Sequence, residues 1–207
     1  GFSAYAQASC TAVPTNADTA SARVATAQTA LDNATAAVTA NKRDEAAKQA
    51  TELLKLAPND ARVHLLQARV LIQKGDRPGG LAEVATALKL DPDNVDGILL
   101  QAAADAIENL DKGLATLDAA ISRLPADKTR QLRELRVIML AQGKRTDDVE
   151  TGLRALSKDF PDEQGYQFQL AQFYASQGRL DEADQLLKKV TELDPKDADK
   201  QLGYVQF

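Results

Sequence analysis

Apolar residues recur along this chain at helical rather than strand spacing. Leu81, Val84, Leu88 and Leu90 form one stretch, Leu114, Leu117 and Ile121 a second, Leu153, Leu156 and Phe160 a third, and Leu186, Leu187, Val190 and Leu193 a fourth. Positions three and four apart share one helix face, so each stretch predicts an amphipathic helix. Each stretch runs into a proline (Pro92, Pro125, Pro161, Pro195), and Pro58 closes an earlier, alanine-rich copy. Proline lacks the N–H that a helix needs and biases the residue before it away from helix, so these are five stops. From Pro58 onward the stops follow one another at 34, 33, 36 and 34 residues. Such a period marks stacked units of two helices, each burying its apolar face on the next. Before each second helix stands Asn41, Gly75, Asn109, Gly143 or Gly178, expected to end a first helix in the left-handed conformation.

Residues 164–195, QGYQFQLAQFYASQGRLDEADQLLKKVTELDP, make the unit explicit. Leu170-Ala171 is a large-small pair, Tyr174 follows one turn later, Gly178 makes the turn, Ala183 is small, and Pro195 closes. Ala171 and Ala183 let two helices approach closely while Leu170, Tyr174 and Leu187 fill the space beside them. This segment resembles a tetratricopeptide repeat (TPR). Residues 61–92 repeat it with Ala68, Gly75, Gly80, Ala87 and Pro92, and residues 94–125 keep Ala102, Gly113, Ala120 and Pro125. Residues 129–161 diverge, with Arg136 where a small residue is expected and two extra residues. The first copy keeps Ala34, Ala46 and Pro58. The resemblance implies an all-α, right-handed superhelical solenoid of about five helix-turn-helix units over residues 19–207. An incomplete unit, Lys196–Phe207, follows Pro195 and is a candidate surface for self-association, as in an array or filament subunit.

Residues 1–18 read as an extended leader or signal-peptide remnant: Ala6-Gln7-Ala8 has the small-x-small form that signal peptidase reads. That places the chain in export, periplasmic or otherwise associated with a cell envelope, with the cytoplasm as the alternative. Cys10 has no partner in the chain, and Gln7 stands where a lipoprotein signal would carry a branched apolar residue, which argues against a lipid anchor there. No run of 18 apolar residues occurs, so no membrane span is expected.

Composition narrows the function classes. Lys+Arg 25 against Asp+Glu 30 gives a net charge of −5, opposite to a general nucleic-acid binder. One His and one Cys leave no ligand set for zinc, copper or haem and no catalytic triad, so no cofactor, metal or catalytic residue is expected. Carboxylates such as Asp147, Asp148, Asp181 and Glu182 fall at the starts of second helices, where they complement the helix dipole. Gly79-Gly80 is no phosphate loop but a permissive helix start. His64 has no Asp or Ser companion in sequence and reads as a partly buried or partner-facing side chain.

In TPR arrays the first helices line a groove that takes an extended peptide or a partner helix. The resemblance therefore maps the groove to Arg62, Leu65, Arg69 and Ile72, then Asp96, Leu99 and Ala103, then Arg130, Arg133 and Val137, then Phe168, Gln172 and Ala175. Four arginines over an apolar floor suit an acidic segment held by bidentate guanidinium contacts. Leu31, Thr35 and Leu66 stand where the subgroup that clamps chaperone tails carries Lys and Asn, which excludes that subfunction. The expected function is a non-catalytic protein-interaction scaffold of an envelope, secretion or exopolysaccharide-export assembly. The alternative is the TPR domain of a larger protein with a catalytic part elsewhere.

Overall fold

A computed structural model describes residues 28–193 except Ala34, Thr39 and Asn41. The leader, Cys10, Pro195, Lys196–Phe207 and the turn residue Asn41 lie outside the described residues. Helical residues 28–33 and 35–38 are followed by α1 (Arg43–Leu56), α2 (Ala61–Gln73) and α3 (Arg77–Leu90). Then come α4 (Val95–Glu108), α5 (Leu110–Arg123), a single 3-10 turn (Ala126–Lys128), α6 (Arg130–Gln142), α7 (Thr146–Asp159), α8 (Gln164–Ser176) and α9 (Leu180–Leu193). No strand occurs among the described residues. The chain divides after Leu90 into two compact units, an N-terminal one and a C-terminal one from Asp91.

In the N-terminal unit, α1 and α3 each pack on α2. Leu31, Val38, Ala46, Ala50, Leu53, Val63, Leu66 and Val70 form one buried cluster. Ala68 is fully buried, and a Cβ on Gly80 would lie 2.9 Å from the Ala68 carbonyl oxygen and 2.6 Å from Ile72. Gly80 is thus required by close packing of α2 on α3, not merely permitted at a helix start.

The C-terminal unit pairs α4 with α5, α6 with α7 and α8 with α9, and α6 also packs on α4. Gly113 plays the part of Gly80: its Cβ would meet the Ala102 carbonyl oxygen at 2.7 Å. In the divergent repeat the contact residue is Val137, not Arg136. Val137 is buried, and the facing Gly152 leaves room for its methyl, which a Cβ would meet at 2.6 Å. Arg136 turns aside to Asp118 at 2.6 Å. The 3-10 turn at Ala126–Lys128 takes up the two extra residues of this copy.

Three of the four described hairpin turns close alike. The N–H groups of Asp76, Arg145 and Arg179 donate to the carbonyls of Leu71, Leu140 and Tyr174, five residues back, at 2.9 Å. Those of Gly75, Lys144 and Gly178 donate to Ile72, Ala141 and Ala175. This is the Schellman arrangement, which places the intervening residue at positive φ. Gly75 (φ 90°) and Gly178 (φ 75°) conform. At the third turn Lys144 takes the left-handed conformation (φ 55°) and Gly143 does not. A Cβ on Gly143 would meet a terminal methyl of Leu110, which would have to turn aside. Asn109 is not left-handed either. At φ −155° it links α4 to α5 directly, and its Oδ1 accepts from the N–H groups of Asp111 and Lys112. Between hairpins, Pro58, Pro92 and Pro161 follow the residue that accepts a three-residue turn bond, Ala57, Asp91 or Phe160. Proline is favoured there by its fixed φ.

Candidate functional site

The expected binding residues divide between the two units. In the N-terminal unit Arg62 is exposed at the start of α2 and already engaged. Its Nε and Nη2 donate to the two oxygens of Asp60, at 3.0 and 2.6 Å, and Nη1 to Gln28 at 2.7 Å. The bidentate bond to Asp60 raises the Arg62 pKa, and the same bond lowers that of Asp60. Asp60 also caps α2 by accepting the Arg62 N–H. Arg69 is half-buried further along α2, and Ile72 is partly exposed. Leu65 is buried at 4% exposure, so it is a packing residue and offers no side-chain surface to a partner. Its position on the helix alone suggests otherwise, because sequence spacing does not say what covers a face.

In the C-terminal unit the two expected arginines are also tied, Arg130 to the following hairpin and Arg133 to the second helix of its own. Arg130 donates to Glu163 at 2.7 Å and to Glu134 at 3.3 Å, and its guanidinium lies 5.9 Å from the ring centres of both Phe160 and Tyr166. Glu134 and Glu163 together raise its pKa. Arg133 meets Asp159 at 2.5 Å. The Tyr166 hydroxyl donates to Glu134, and burial with that carboxylate pushes its pKa up to about 12. Further along, Arg179 joins Glu150 and Glu182 with its guanidinium 4.1 Å over the Tyr174 ring. Guanidinium planes stack well on aromatic faces, and Arg130 and Arg179 bridge successive hairpins in this way.

What remains on the outer face of the first helices is largely uncharged. At 100° per residue, Asp96, Leu99, Ala103 and Ile107 share the outer side of α4, Gln131, Glu134, Ile138 and Gln142 that of α6, and Phe168, Gln169 and Gln172 that of α8. Ile107 is 70% and Ile138 53% exposed, while Leu99 and Phe168 are half-buried and Gln172 exposed. Val137, a quarter-turn round α6 from Ile138, is buried and does not join them. Ile107 and Ile138 are absent from the sequence-derived groove. The signal for them was present, since each breaks the polar side of an amphipathic helix.

Two ionisable groups lie inside the hairpins. Asp105 is buried and accepts from Gln101 at 3.0 Å, Thr116 at 2.8 Å and Lys112 at 2.9 Å. Burial opposes its ionisation, but these donors outweigh that and hold its pKa low. His64 has a companion the sequence did not reveal, Glu83 on α3, 2.6 Å from Nδ1. Among the described residues no cluster of three or more His, Cys, Asp or Glu could hold a metal ion, and no helix is long and apolar enough to cross a membrane.

Two sequence profiles, both described as tetratricopeptide repeat, match residues 19–95 and 139–201. Several solved structures share the fold. A thermophilic TPR protein of Thermus thermophilus is 23% identical, with 87% of this chain and 97% of that one covered at a TM-score of 0.61. The pilF protein of Pseudomonas aeruginosa is 12% identical, with 88% and 82% covered at 0.68. PilW, described as a widely conserved type IV pilus biogenesis factor, is 16% identical, with 86% and 82% covered at 0.63. No match was found among curated proteins. The repeated hairpins, their small-residue contacts and both profile matches agree, and the chain belongs to the tetratricopeptide repeat family.

Proposed function

We propose that the chain is a non-catalytic scaffold that holds a protein partner on the outer faces of its first helices. In the N-terminal unit that face is on α2, with Arg62, Arg69 and Ile72. In the C-terminal unit it spans α4, α6 and α8, with Leu99, Ile107, Ile138, Phe168 and Gln172. The observation that carries the reading is the exposure of Ile107 and Ile138 on adjacent helices of a fold whose members serve as protein-interaction scaffolds. Burying two such side chains offers a partner about 1.5–3 kcal/mol each.

The partner is read as a segment that brings apolar side chains, helical or extended. The glutamines around the two isoleucines supply hydrogen bonds at their rim. An acidic segment is less well supported, because it would have to displace Asp60, Asp159 and Glu163 from the arginines meant to hold it. An envelope location is proposed on the Ala6-Gln7-Ala8 string together with the fold shared with the pilus factor PilW.

Affinity capture from native extracts with wild-type protein and with the Ile107→Ser/Ile138→Ser double variant tests the site. The partner is expected with wild type and lost with a variant that keeps its helicity. A partner retained by the variant moves the site elsewhere. Cell fractionation with an antibody tests the location, and a wholly cytoplasmic signal rejects it.

A further inference from the structure

His64 faces an acceptor with each ring nitrogen. Nδ1 lies 2.6 Å from a Glu83 carboxylate oxygen on α3, and Nε2 lies 2.8 Å from the Pro58 carbonyl oxygen in the turn between α1 and α2. The His64 side chain is only 12% exposed, while the Pro58 end of its contacts reaches the surface. A neutral imidazole has one N–H and can satisfy only one of two acceptors. The Pro58 carbonyl has no proton to give, so the Nε2 side must be the donor. The Nδ1 side then needs a second proton, carried by the ring or by Glu83.

Asp60, the N-cap of α2, adds a second carboxylate to the ring's surroundings. The charged groups around His64 are therefore Glu83 from α3 and Asp60 from the head of α2, and Asp60 is itself paired with Arg62. We propose that His64 is a pH-operated clamp of the N-terminal unit: doubly protonated, it ties α2 to α3 and to the α1–α2 turn, and loss of one proton releases the tie to the turn. The remaining N–H stays on the Glu83 carboxylate, the stronger acceptor, and an imidazole lone pair then faces the Pro58 carbonyl oxygen and is repelled by it.

The direction of the pH dependence follows from the contacts. Burial alone would lower the His64 pKa, but the bonds to Glu83 and Pro58 and the field of the two carboxylates raise it above the ordinary value of about 6.5. A group with a raised folded pKa contributes stability that is complete below the unfolded pKa. That stability is lost as pH rises through the folded pKa. The tie of α2 to the α1–α2 turn is thus complete at mildly acidic pH and is lost as pH rises through the raised His64 value. Since α2 carries Arg62, Arg69 and Ile72, the clamp governs how firmly the N-terminal unit presents that face.

The chain contains one histidine, so its imidazole protons give a single set of NMR resonances to titrate in the intact protein. The expected midpoint lies above that of the same protein in concentrated urea. Amide exchange in the α1–α2 turn and the first turns of α2, corrected for intrinsic rates, is expected to accelerate several-fold between pH 5.5 and 8.5. In Glu83→Gln, whose amide can donate to Nδ1, the midpoint should fall and the extra acceleration vanish. A native midpoint at or below the urea value, or equal pH dependence in wild type and Glu83→Gln, would overturn the clamp. Should the variant not fold, the wild-type midpoint decides alone.

Discussion

Lys144 holds its backbone at φ 55° in a turn whose counterparts, Gly75 and Gly178, are glycines. A Cβ in that conformation costs about 1–2 kcal/mol, and glycine gives back part of this through unfolded-state entropy. Lys144→Gly is therefore expected to stabilise the protein by about 0.5–1 kcal/mol, measured by urea denaturation. No gain, or a loss, would mean that the turn is not strained at Lys144. The neighbouring Gly143 has an ordinary φ of −77°, and a side chain there would need the Leu110 methyl to turn aside. Ala171 makes the complementary case. It is fully buried between α8 and α9, and Ala171→Leu should cost about 1–3 kcal/mol through overpacking. Exchange protection should fall first in 164–193, and unaltered protection there would refute the assigned contact. Ala171 could be read from its place in the repeat, because small residues at close helix crossings recur with the period. Lys144 could not, since a turn that is usually Gly can shift its strained position by one residue without changing the pattern.

At the scale of the helical hairpin, helix type and order were legible from proline stops and apolar spacing, as the run of helices from α1 to α9 shows. What spacing could not supply was the partner of each charge. Asp105 looks in sequence like any polar residue late in a first helix, yet it is buried under Gln101, Lys112 and Thr116 and ties α4 to α5. Its depressed pKa makes this a pH-dependent tie. The stability it adds is present above the unfolded pKa of about 3.9 and is lost as pH falls through the lower folded value. Asp105→Asn should cost about 1–3 kcal/mol at pH 7, since it removes a charge-assisted bond from a buried site. The gap to wild type should narrow steadily as pH falls below about 3.9 in paired denaturation curves, whereas a constant gap would mean that shape rather than charge is at stake. The arginines teach the same lesson. Arg62, Arg130 and Arg133 look ligand-binding in sequence, which shows a cation but not the carboxylate, two, 33 or 26 residues away, that takes it up.

Over the whole molecule, 25 basic and 30 acidic side chains leave a net charge of −5, and the basic ones at the expected sites are largely spent on internal ion pairs. Exposed pairs of this kind contribute little each, so their effect is to remove charge from the faces rather than to hold the fold. The two forces available for partner binding then predict different salt responses. A charged interface weakens as salt rises, because ions screen it beyond about 10 Å at 0.1 M. An apolar one built on Ile107 and Ile138 does not, because burial of apolar surface needs no free charge. Once the partner is in hand, its affinity for the wild-type chain should change less than about threefold between 0.05 and 0.5 M NaCl by titration calorimetry, with a negative heat-capacity change. Ile138→Ser should weaken it about tenfold or more, the equivalent of roughly 1.4 kcal/mol, while charge reversal at Arg133 leaves it nearly unchanged. A steep fall with salt, together with loss of binding on reversing Arg133, would restore the acidic-segment reading and require that the partner pull Arg133 away from Asp159.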